Sequence, residues 1–135
     1  MAFDYGAVRI GVAVSDPDSI LASPLATLSS NDKKLKTSLI KIFDEYEPIV
    51  IYVGKPSNLD GTSGASADKA ASFCALLATL TSVPIELIDE RLSTVSASRS
   101  MRDSGVSAKD SRSRIDQAAA VAILEFALSI EKNRL

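Results

Sequence analysis

The stretch Ile49-Val50-Ile51-Tyr52-Val53 is an unbroken run of apolar side chains. A strand that covers a core with one face alternates apolar and polar residues, whereas a continuous apolar run predicts a strand that is buried on both faces. Strands of this kind are typical of sheets that carry helices on each side. The run therefore predicts an α/β domain, and the sequence on either side of it can be tested for helices.

Helical patterns flank this strand. Apolar residues recur at helical spacing from Leu35 to Tyr46, after a helix-start signal at Ser30-Asn31-Asp32, and Pro48 ends the pattern. A second helix is predicted at Ala65 to Leu80, and it is followed by a strand at Pro84 to Ile88. Two strands joined through a helix imply a parallel crossover.

The segments before the first of these helices and after the strand that ends at Ile88 have different patterns. Strands are predicted at Arg9 to Ser15 and at Ile20 to Leu28, with an early break at Ser23-Pro24, and a shorter strand precedes them around Asp4. These three strands predict an antiparallel meander. Toward the end of the chain, we expect a helix at Ser93 to Asp103, a loop at Val106 to Arg112, and a last helix from Ser113 to about Glu131.

The order of these elements predicts one domain over residues 1–135. Its expected architecture is a five-stranded mixed sheet, with three antiparallel and two parallel strands and with helices on both faces. This is the ribonuclease-H-like arrangement. It would place Asp4 on the central strand, Glu90 just past the end of a parallel strand, and Asp116 on a helix packed against the sheet.

Composition excludes several kinds of active site. The chain has no histidine, which rules out Ser-His-Asp and Cys-His nucleophile systems and all imidazole metal ligands. Its single cysteine, Cys74, cannot form an intramolecular disulfide, and a reducing cytoplasm is the expected location. No apolar run is long enough to cross a bilayer, and no signal peptide is evident. A hydrolytic site must therefore use carboxylates, hydroxyls, lysine or arginine.

Three carboxylates are candidates for that site: Asp4, Glu90 and Asp116. Carboxylates that converge on one sheet edge can hold divalent metal ions, and such ions can drive phosphodiester cleavage. Each acid also has a structural explanation. Asp4 could pair with Arg9, Glu90 could lie in a solvated loop, and Asp116 could be a capping acid three residues after an N-cap at Ser113.

The charge distribution is uneven. The net charge is −2, which alone argues mildly against a nucleic-acid binder. Between Arg91 and Arg114, however, six basic residues oppose two acids, and this segment separates Glu90 from Asp116. Basic groups beside an acidic centre suit an enzyme that acts on a phosphate backbone, although a solvated helix surface would have the same composition.

Short motifs are spread over nearly the whole chain. They are Asp4-Tyr5-Gly6, Arg9 to Asp16, Ala22-Ser23-Pro24-Leu25, Val53-Gly54 with Pro56, Asn58 to Thr62, Asp89 to Thr94, and Ile115 to Ala120. Taken in this order, they resemble the motifs of the YqgF family, whose bacterial members are described as Holliday junction resolvases or pre-16S rRNA nucleases with a ribonuclease-H-like fold. Lys55 and Ala7-Val8 depart from the family pattern, and neither change affects the three acids.

The resemblance implies that Asp4, Glu90 and Asp116 are the catalytic acids and that they bind Mg²⁺ or Mn²⁺. It implies a substrate-binding role for five further residues, with Arg9 either orienting Asp4 or touching the substrate. These five are Arg9, Arg91, Arg112, Arg114 and Asn58.

The function that follows is a metal-dependent endonuclease on structured nucleic acid. Maturation of the 5′ end of 16S rRNA is the leading expectation, and cleavage of a four-way DNA junction is the rival. A third alternative is a catalytically silent module that binds nucleic acid or the ribosome. We expect a monomer or a weak homodimer. A symmetric junction cutter should be a dimer, so a monomer would favour rRNA.

Overall fold

A computed structural model of the protein describes residues 1–6, 8–16, 21–55, 65–89 and 109–133. In chain order the elements are β1 (Ala2–Tyr5), β2 (Arg9–Ser15), β3 (Ala22–Ser29), α1 (Leu35–Tyr46), β4 (Ile51–Lys55), α2 (Ala65–Leu80), β5 (Ile85–Asp89) and α3 (Lys109–Asn133). The helix predicted at Ser93 to Asp103 lies outside the described residues.

The strands form one mixed sheet in the order β3-β2-β1-β4-β5, so β1 is central. β1 pairs with β2 and β2 pairs with β3 in antiparallel fashion, whereas β1 with β4 and β4 with β5 are parallel. The predicted mixture of three antiparallel and two parallel strands is therefore confirmed, and so is the central position of Asp4.

Each face of the sheet is covered by helices. Phe3, Ile10 and Val12 belong to a core that includes apolar residues of α1 and α2. Ala2 and Ala13 belong to a second core that includes residues of α3. Side chains alternate between the two faces of a strand, so residues one apart enter different cores. The predicted helices on both faces are confirmed.

β4 begins later than the apolar run predicts. Ile49 is 81% exposed, and the strand spans Ile51 to Lys55 rather than residues 49–53. Glu47 has a left-handed backbone with φ of 45° and ends α1, and Pro48 follows it. The chain is therefore still turning at Ile49. β4 starts where the Ile51 N–H donates to the Pro84 carbonyl oxygen at 2.9 Å.

β3 does not break at Pro24. Ala13 pairs with Pro24 and Val12 with Ala26, so the extra residue Leu25 forms a bulge and the strand continues. β3 is an edge strand, where a proline can be tolerated because a missing N–H need not interrupt the ladder.

The last helix begins earlier than predicted. The loop expected at Val106 to Arg112 overlaps α3, which starts at Lys109. No apolar residue lies between Lys109 and Arg114, so periodicity gave no signal there, although lysine and arginine are good helix formers. Within the described ranges, no helix combines the length and apolar character needed to span a bilayer.

Candidate active site on the α3 face of the sheet

Asp4 lies on the face of the sheet that α3 covers. Its strand neighbour Phe3 enters the core beneath α1 and α2, whereas Ala2 enters the core beneath α3. Because side chains two apart share a face, Asp4 points the same way as Ala2. Its exposed fraction is only 3%. A buried carboxylate is costly unless a cation or hydrogen-bond donors compensate it.

Gly11 connects Asp4 with α3. Asp4 and Gly11 are directly paired across β1 and β2, and Gly11 in turn pairs with Thr27 on β3. A methyl group built on Gly11 would overlap the carbonyl oxygen of Asp116. The missing side chain therefore lets the α3 backbone lie directly on this row of the sheet, which is the close approach that a strand glycine permits.

Asp116 is a buried residue in the interior of α3. Its exposed fraction is 2%, and it lies seven residues after Lys109, where the helix begins. The capping explanation is therefore wrong, because Ser113 is inside the helix and cannot be its N-cap. Since α3 rests on Gly11, and Gly11 is paired with Asp4, the structure brings together two acids that are separated by most of the sequence.

Arg9 forms an ion pair with Asp116. Its Nε donates to the Asp116 Oδ2 at 2.7 Å, and the Arg9 side chain is 31% exposed. Arg9 precedes Gly11 by two residues on β2, so it shares the α3 face. The sequence suggested that Arg9 pairs with Asp4 or orients it, whereas the ion pair of Arg9 in the structure is with Asp116. Asp4 also takes part in a polar or electrostatic interaction.

A short turn holds Arg9 in place. The Gly6 N–H donates to the Arg9 carbonyl oxygen at 2.9 Å, and the Ser30 hydroxyl donates to the Gly6 carbonyl oxygen. A Cβ on Gly6 would lie 2.7 Å from that same Arg9 oxygen, so the tight turn requires glycine. The backbone of Arg9 is therefore held by Gly6, the residue after β1. Gly6 is held in turn by Ser30, the residue after β3.

Gln117 fixes α3 across the sheet, and sequence reasoning missed this. Its Nε2 donates to the Thr27 hydroxyl at 3.0 Å. Thr27, Gly11 and Asp4 form one row across β3, β2 and β1, so the helix is held at Thr27 and touches Gly11. The available signal was a polar residue beside Asp116 in a segment otherwise rich in alanine.

The thiol of Cys74 is not part of this site. It lies on α2, beneath the opposite face of the sheet, and burial raises the pKa of the thiol. A raised pKa keeps the thiol protonated, which makes it a poor nucleophile. The ionisable groups described at the candidate site are Asp4, Asp116 and Arg9.

The other candidate residues are only partly described. Glu90, Arg91 and Asn58 lie outside the described residues, with Glu90 next in sequence after the end of β5. Arg112 and Arg114 belong to the first turns of α3, but their side chains are not described. Within the part of the chain that is described, no cluster of three or more metal-ligand side chains occurs.

The family model "RuvX: Holliday junction resolvase" matches residues 1–130. The chain belongs to this family. The resemblance seen in the sequence motifs is thereby confirmed.

Relatives with curated names match over most of their length. A protein of Streptomyces avermitilis is 46% identical over 134 residues, which cover 98% of this chain and 86% of the relative. A protein of Mycobacterium ulcerans is 48% identical over 128 residues, covering 93% of this chain and 75% of the relative. Both carry the name "Putative pre-16S rRNA nuclease".

Solved structures support the fold. A Thermus thermophilus RuvC in complex with a Holliday junction substrate aligns with a TM-score of 0.57 at 14% identity. The alignment covers 96% of this chain and 92% of that one. A second RuvC structure from Thermus thermophilus aligns with a TM-score of 0.51 at 15% identity. At these identities the likeness establishes the shared fold, which confirms the predicted ribonuclease-H-like class.

Proposed function

We propose that this protein is a nuclease that hydrolyses phosphodiester bonds in structured RNA, and that it matures the 5′ end of pre-16S rRNA in the cytoplasm. The observation that carries the proposal is that two buried acids on the α3 face both adjoin Gly11, Asp4 through strand pairing and Asp116 through its backbone, with a cation beside Asp116. Asp4 and Asp116 are 3% and 2% exposed, and Arg9 contacts Asp116. The names of the relatives support pre-16S rRNA as the substrate.

The acids suit a divalent metal. Mg²⁺ and Mn²⁺ prefer hard oxygen ligands, and Asp4 and Asp116 offer carboxylate oxygens beside a common glycine. Glu90 follows Ile88 by two residues, and Ile88 is buried in the α3-side core. Glu90 directly follows β5 in the sequence, and its match to the motif of the YqgF family is our reason for including it as the third ligand. A bound divalent ion would supply Lewis-acid stabilisation of the phosphate and a more acidic water.

We infer that Arg9 is a positioning residue for Asp116. The buried Asp116 carboxylate needs a compensating charge when no metal is bound, and the Arg9 guanidinium supplies it. Nearly a third of the Arg9 side chain is exposed, so this side chain remains accessible from outside the site. An incoming phosphate could therefore reach the same cation.

Arg9→Gln should destabilise the metal-free protein by about 1–2 kcal/mol, because it leaves the Asp116 carboxylate buried without its partner. The double variant Arg9→Gln/Asp116→Asn should recover most of that loss, since it removes the buried charge as well. Urea unfolding of the two single variants and the double variant measures the coupling as a double-mutant cycle.

Lys69→Gln is the matched control for this cycle, because it removes one positive charge from an exposed position on α2. It should change the free energy of unfolding by less than about 0.5 kcal/mol. A coupling energy between Arg9 and Asp116 of no more than about 0.5 kcal/mol would contradict the positioning role of Arg9.

Arg91, Arg112, Arg114 and Asn58 complete the proposed substrate contacts. Arg112 and Arg114 precede Asp116 on α3 by less than two turns, so they are near the proposed cleavage centre in sequence and along the helix. Cationic side chains at such a place bind phosphates without reading the base sequence. This arrangement suits an enzyme whose specificity comes from the shape of its RNA.

Replacing Arg112 and Arg114 together by glutamine should weaken RNA binding and reduce its salt dependence. Each lost phosphate contact lowers the slope of log K against log salt by about 0.7 for single-stranded nucleic acid, so the expected reduction is about 1.4. The control replaces Lys36 and Lys41, two exposed lysines of α1, with glutamine. Equal slopes for the two double variants would exclude the two arginines as phosphate contacts.

Cleavage of four-way DNA junctions is the second candidate function. The family description names a Holliday junction resolvase, and a RuvC bound to such a junction shares the fold. Symmetric cleavage of a junction requires two active sites related by a two-fold axis, so this function predicts a dimer. A catalytically silent binding module is disfavoured, because binding nucleic acid or the ribosome does not by itself require two buried acids.

Cleavage of two labelled substrates tests the proposal. End-labelled 16S precursor leader RNA and a four-way DNA junction are incubated with the protein and Mg²⁺ or Mn²⁺, and Glu90→Gln is the inactive control. We expect cleavage of the RNA, its loss in the control, and a monomer in sedimentation. Cleavage of the junction alone by a dimer would establish the rival function, and binding without cleavage of either would indicate the silent module.

A further inference from the structure

A groove lies at the end of the sheet opposite the two acids. It has a volume of about 770 Å³ and is lined by residues before β1 and β4, by residues at the end of β2, and by the last part of α3. Leu124 and Leu128 on its α3 wall are eight and twelve residues beyond Asp116, which is ~12 Å and ~18 Å along the helix axis. The groove is therefore a surface separate from the candidate active site.

The groove combines apolar and acidic side chains. Ile49 is 81% exposed and Tyr46 is 39% exposed, and both line the groove together with the partly buried Leu128. The charged side chains described in its lining are all acidic: Asp16, Glu45, Glu47 and Glu131. An exposed apolar surface with a charged rim is characteristic of a binding site rather than of ordinary solvent-facing surface.

The backbone fixes this arrangement. Glu47 has φ of 45° and ψ of 59°, and its N–H donates to the Phe43 carbonyl oxygen at 2.9 Å to end α1. A non-glycine residue in this left-handed region costs about 1 kcal/mol or more, so the turn must be held by its surroundings. Pro48 follows, and together they direct Ile49 outward at the mouth of the groove.

We propose that this groove, which the proposed nuclease activity does not use, binds a basic segment of a partner protein. The apolar side chains would hold one or two aliphatic side chains of that segment, and the exposed carboxylates of Glu45 and Glu47 would pair with its lysines or arginines. Nucleic acid does not fit, because its phosphates would face a rim of carboxylates. A second copy related by two-fold symmetry does not fit, because it would bring acids against acids.

Fluorescence anisotropy with two labelled peptides tests this proposal. One short peptide alternates lysine and leucine, and the other alternates glutamate and leucine. The basic peptide should bind and the acidic one should not. Glu45→Lys and Ile49→Ser should each weaken binding of the basic peptide by about tenfold, through lost charge pairing and lost apolar burial respectively. Both residues are exposed, so neither change should impair folding.

Asp68→Lys is the matched control, because it makes the same change in net charge at an exposed residue in the first turn of α2. It should alter binding by less than about twofold. Equal weakening by Asp68→Lys and Glu45→Lys would show only general attraction to an acidic protein and would overturn the proposal. If Glu45→Lys weakens binding of the basic peptide and Ile49→Ser does not, the proposal would also be overturned. The groove would then bind a small polycation through charge alone.

RNA cleavage by Ile49→Ser separates this surface from the active site. Cleavage at the wild-type rate, together with weaker peptide binding, supports a separate docking groove. Loss of cleavage would place the groove on the substrate path and overturn the proposal. Self-association of the wild type that disappears in Ile49→Ser would identify a second copy of the chain as the occupant instead.

Discussion

Asp116→Asn is expected to reduce cleavage by more than about a hundredfold while the protein stays folded. The substitution keeps the size of the side chain and removes the negative charge that a metal ion requires. Loss of supporting residues around a metal already costs 10–100-fold, so loss of a ligand should cost at least as much. Arg9 loses its ionic partner, but its side chain is 31% exposed and water can solvate the guanidinium.

The fold should tolerate this change because it removes a buried charge instead of creating one. Circular dichroism and the urea midpoint check the fold, and single-turnover cleavage checks the chemistry. Asp44→Asn, at an exposed residue of α1, makes the same substitution away from the site and should cleave normally. Wild-type cleavage by Asp116→Asn would reduce Asp116 to a structural partner of Arg9.

Gly11→Ala should destabilise the protein by at least about 3 kcal/mol, the upper range for an overpacked core. The added methyl group would overlap the backbone of Asp116, and a helix backbone cannot rotate aside as a side chain can. α3 would have to shift by about an ångström or more to restore normal contact distances. That shift would disturb the Arg9–Asp116 ion pair and the Gln117–Thr27 hydrogen bond together.

Cleavage should also fall in Gly11→Ala at temperatures where the variant is still folded, because Asp116 moves relative to Asp4. Thermal unfolding and cleavage are measured on the same preparation. Ser15→Thr adds one methyl group at a half-buried end of the same strand and should have little effect on either. A stable and active Gly11→Ala protein would refute the close contact between α3 and β2.

The order of the elements could be predicted because hydrophobic patterning records burial directly. The run at residues 49–53 marks a strand with cores on both faces, and the helical spacing from Leu35 to Tyr46 gave α1 its observed bounds. The residue at which a strand begins is harder to predict. Ile49 belongs to the apolar run by composition, yet the left-handed Glu47 turns it into solvent, and local composition does not encode that turn.

The sequence suggested a set of site residues, but it did not give the contacts between them. Asp4 stands out as a charge in a strand-like apolar stretch, and Asp116 stands out as an acid at the start of a long apolar helical segment. Their relation depends on the strand pairing of Asp4 with Gly11 and on the contact of Gly11 with α3, which join parts of the chain far apart in sequence. The same long-range packing forms the ion pair between Arg9 and Asp116 and the hydrogen bond between Gln117 and Thr27. Periodicity carries no information about such pairs.

The Asp116 capping hypothesis failed for a related reason. The sequence Ser113-Arg114-Ile115-Asp116 has the spacing of a capping box, and a capping box needs only local information to be recognised. Whether it is used depends on where the helix starts, and the polar residues from Lys109 extend the helix past that point. The local signal marked a helix start at Ser113, whereas the observed helix already includes that residue.

Calorimetric titration with Mn²⁺ tests the central claim most directly, because it measures the proposed metal site without requiring a substrate. The wild type is compared with Asp4→Asn, Glu90→Gln and Asp116→Asn, and Asp44→Asn serves as the control. The account predicts that each of the three site variants weakens Mn²⁺ binding by at least about tenfold and that the control does not. Mn²⁺ binding unchanged in all three variants would contradict a shared carboxylate metal site.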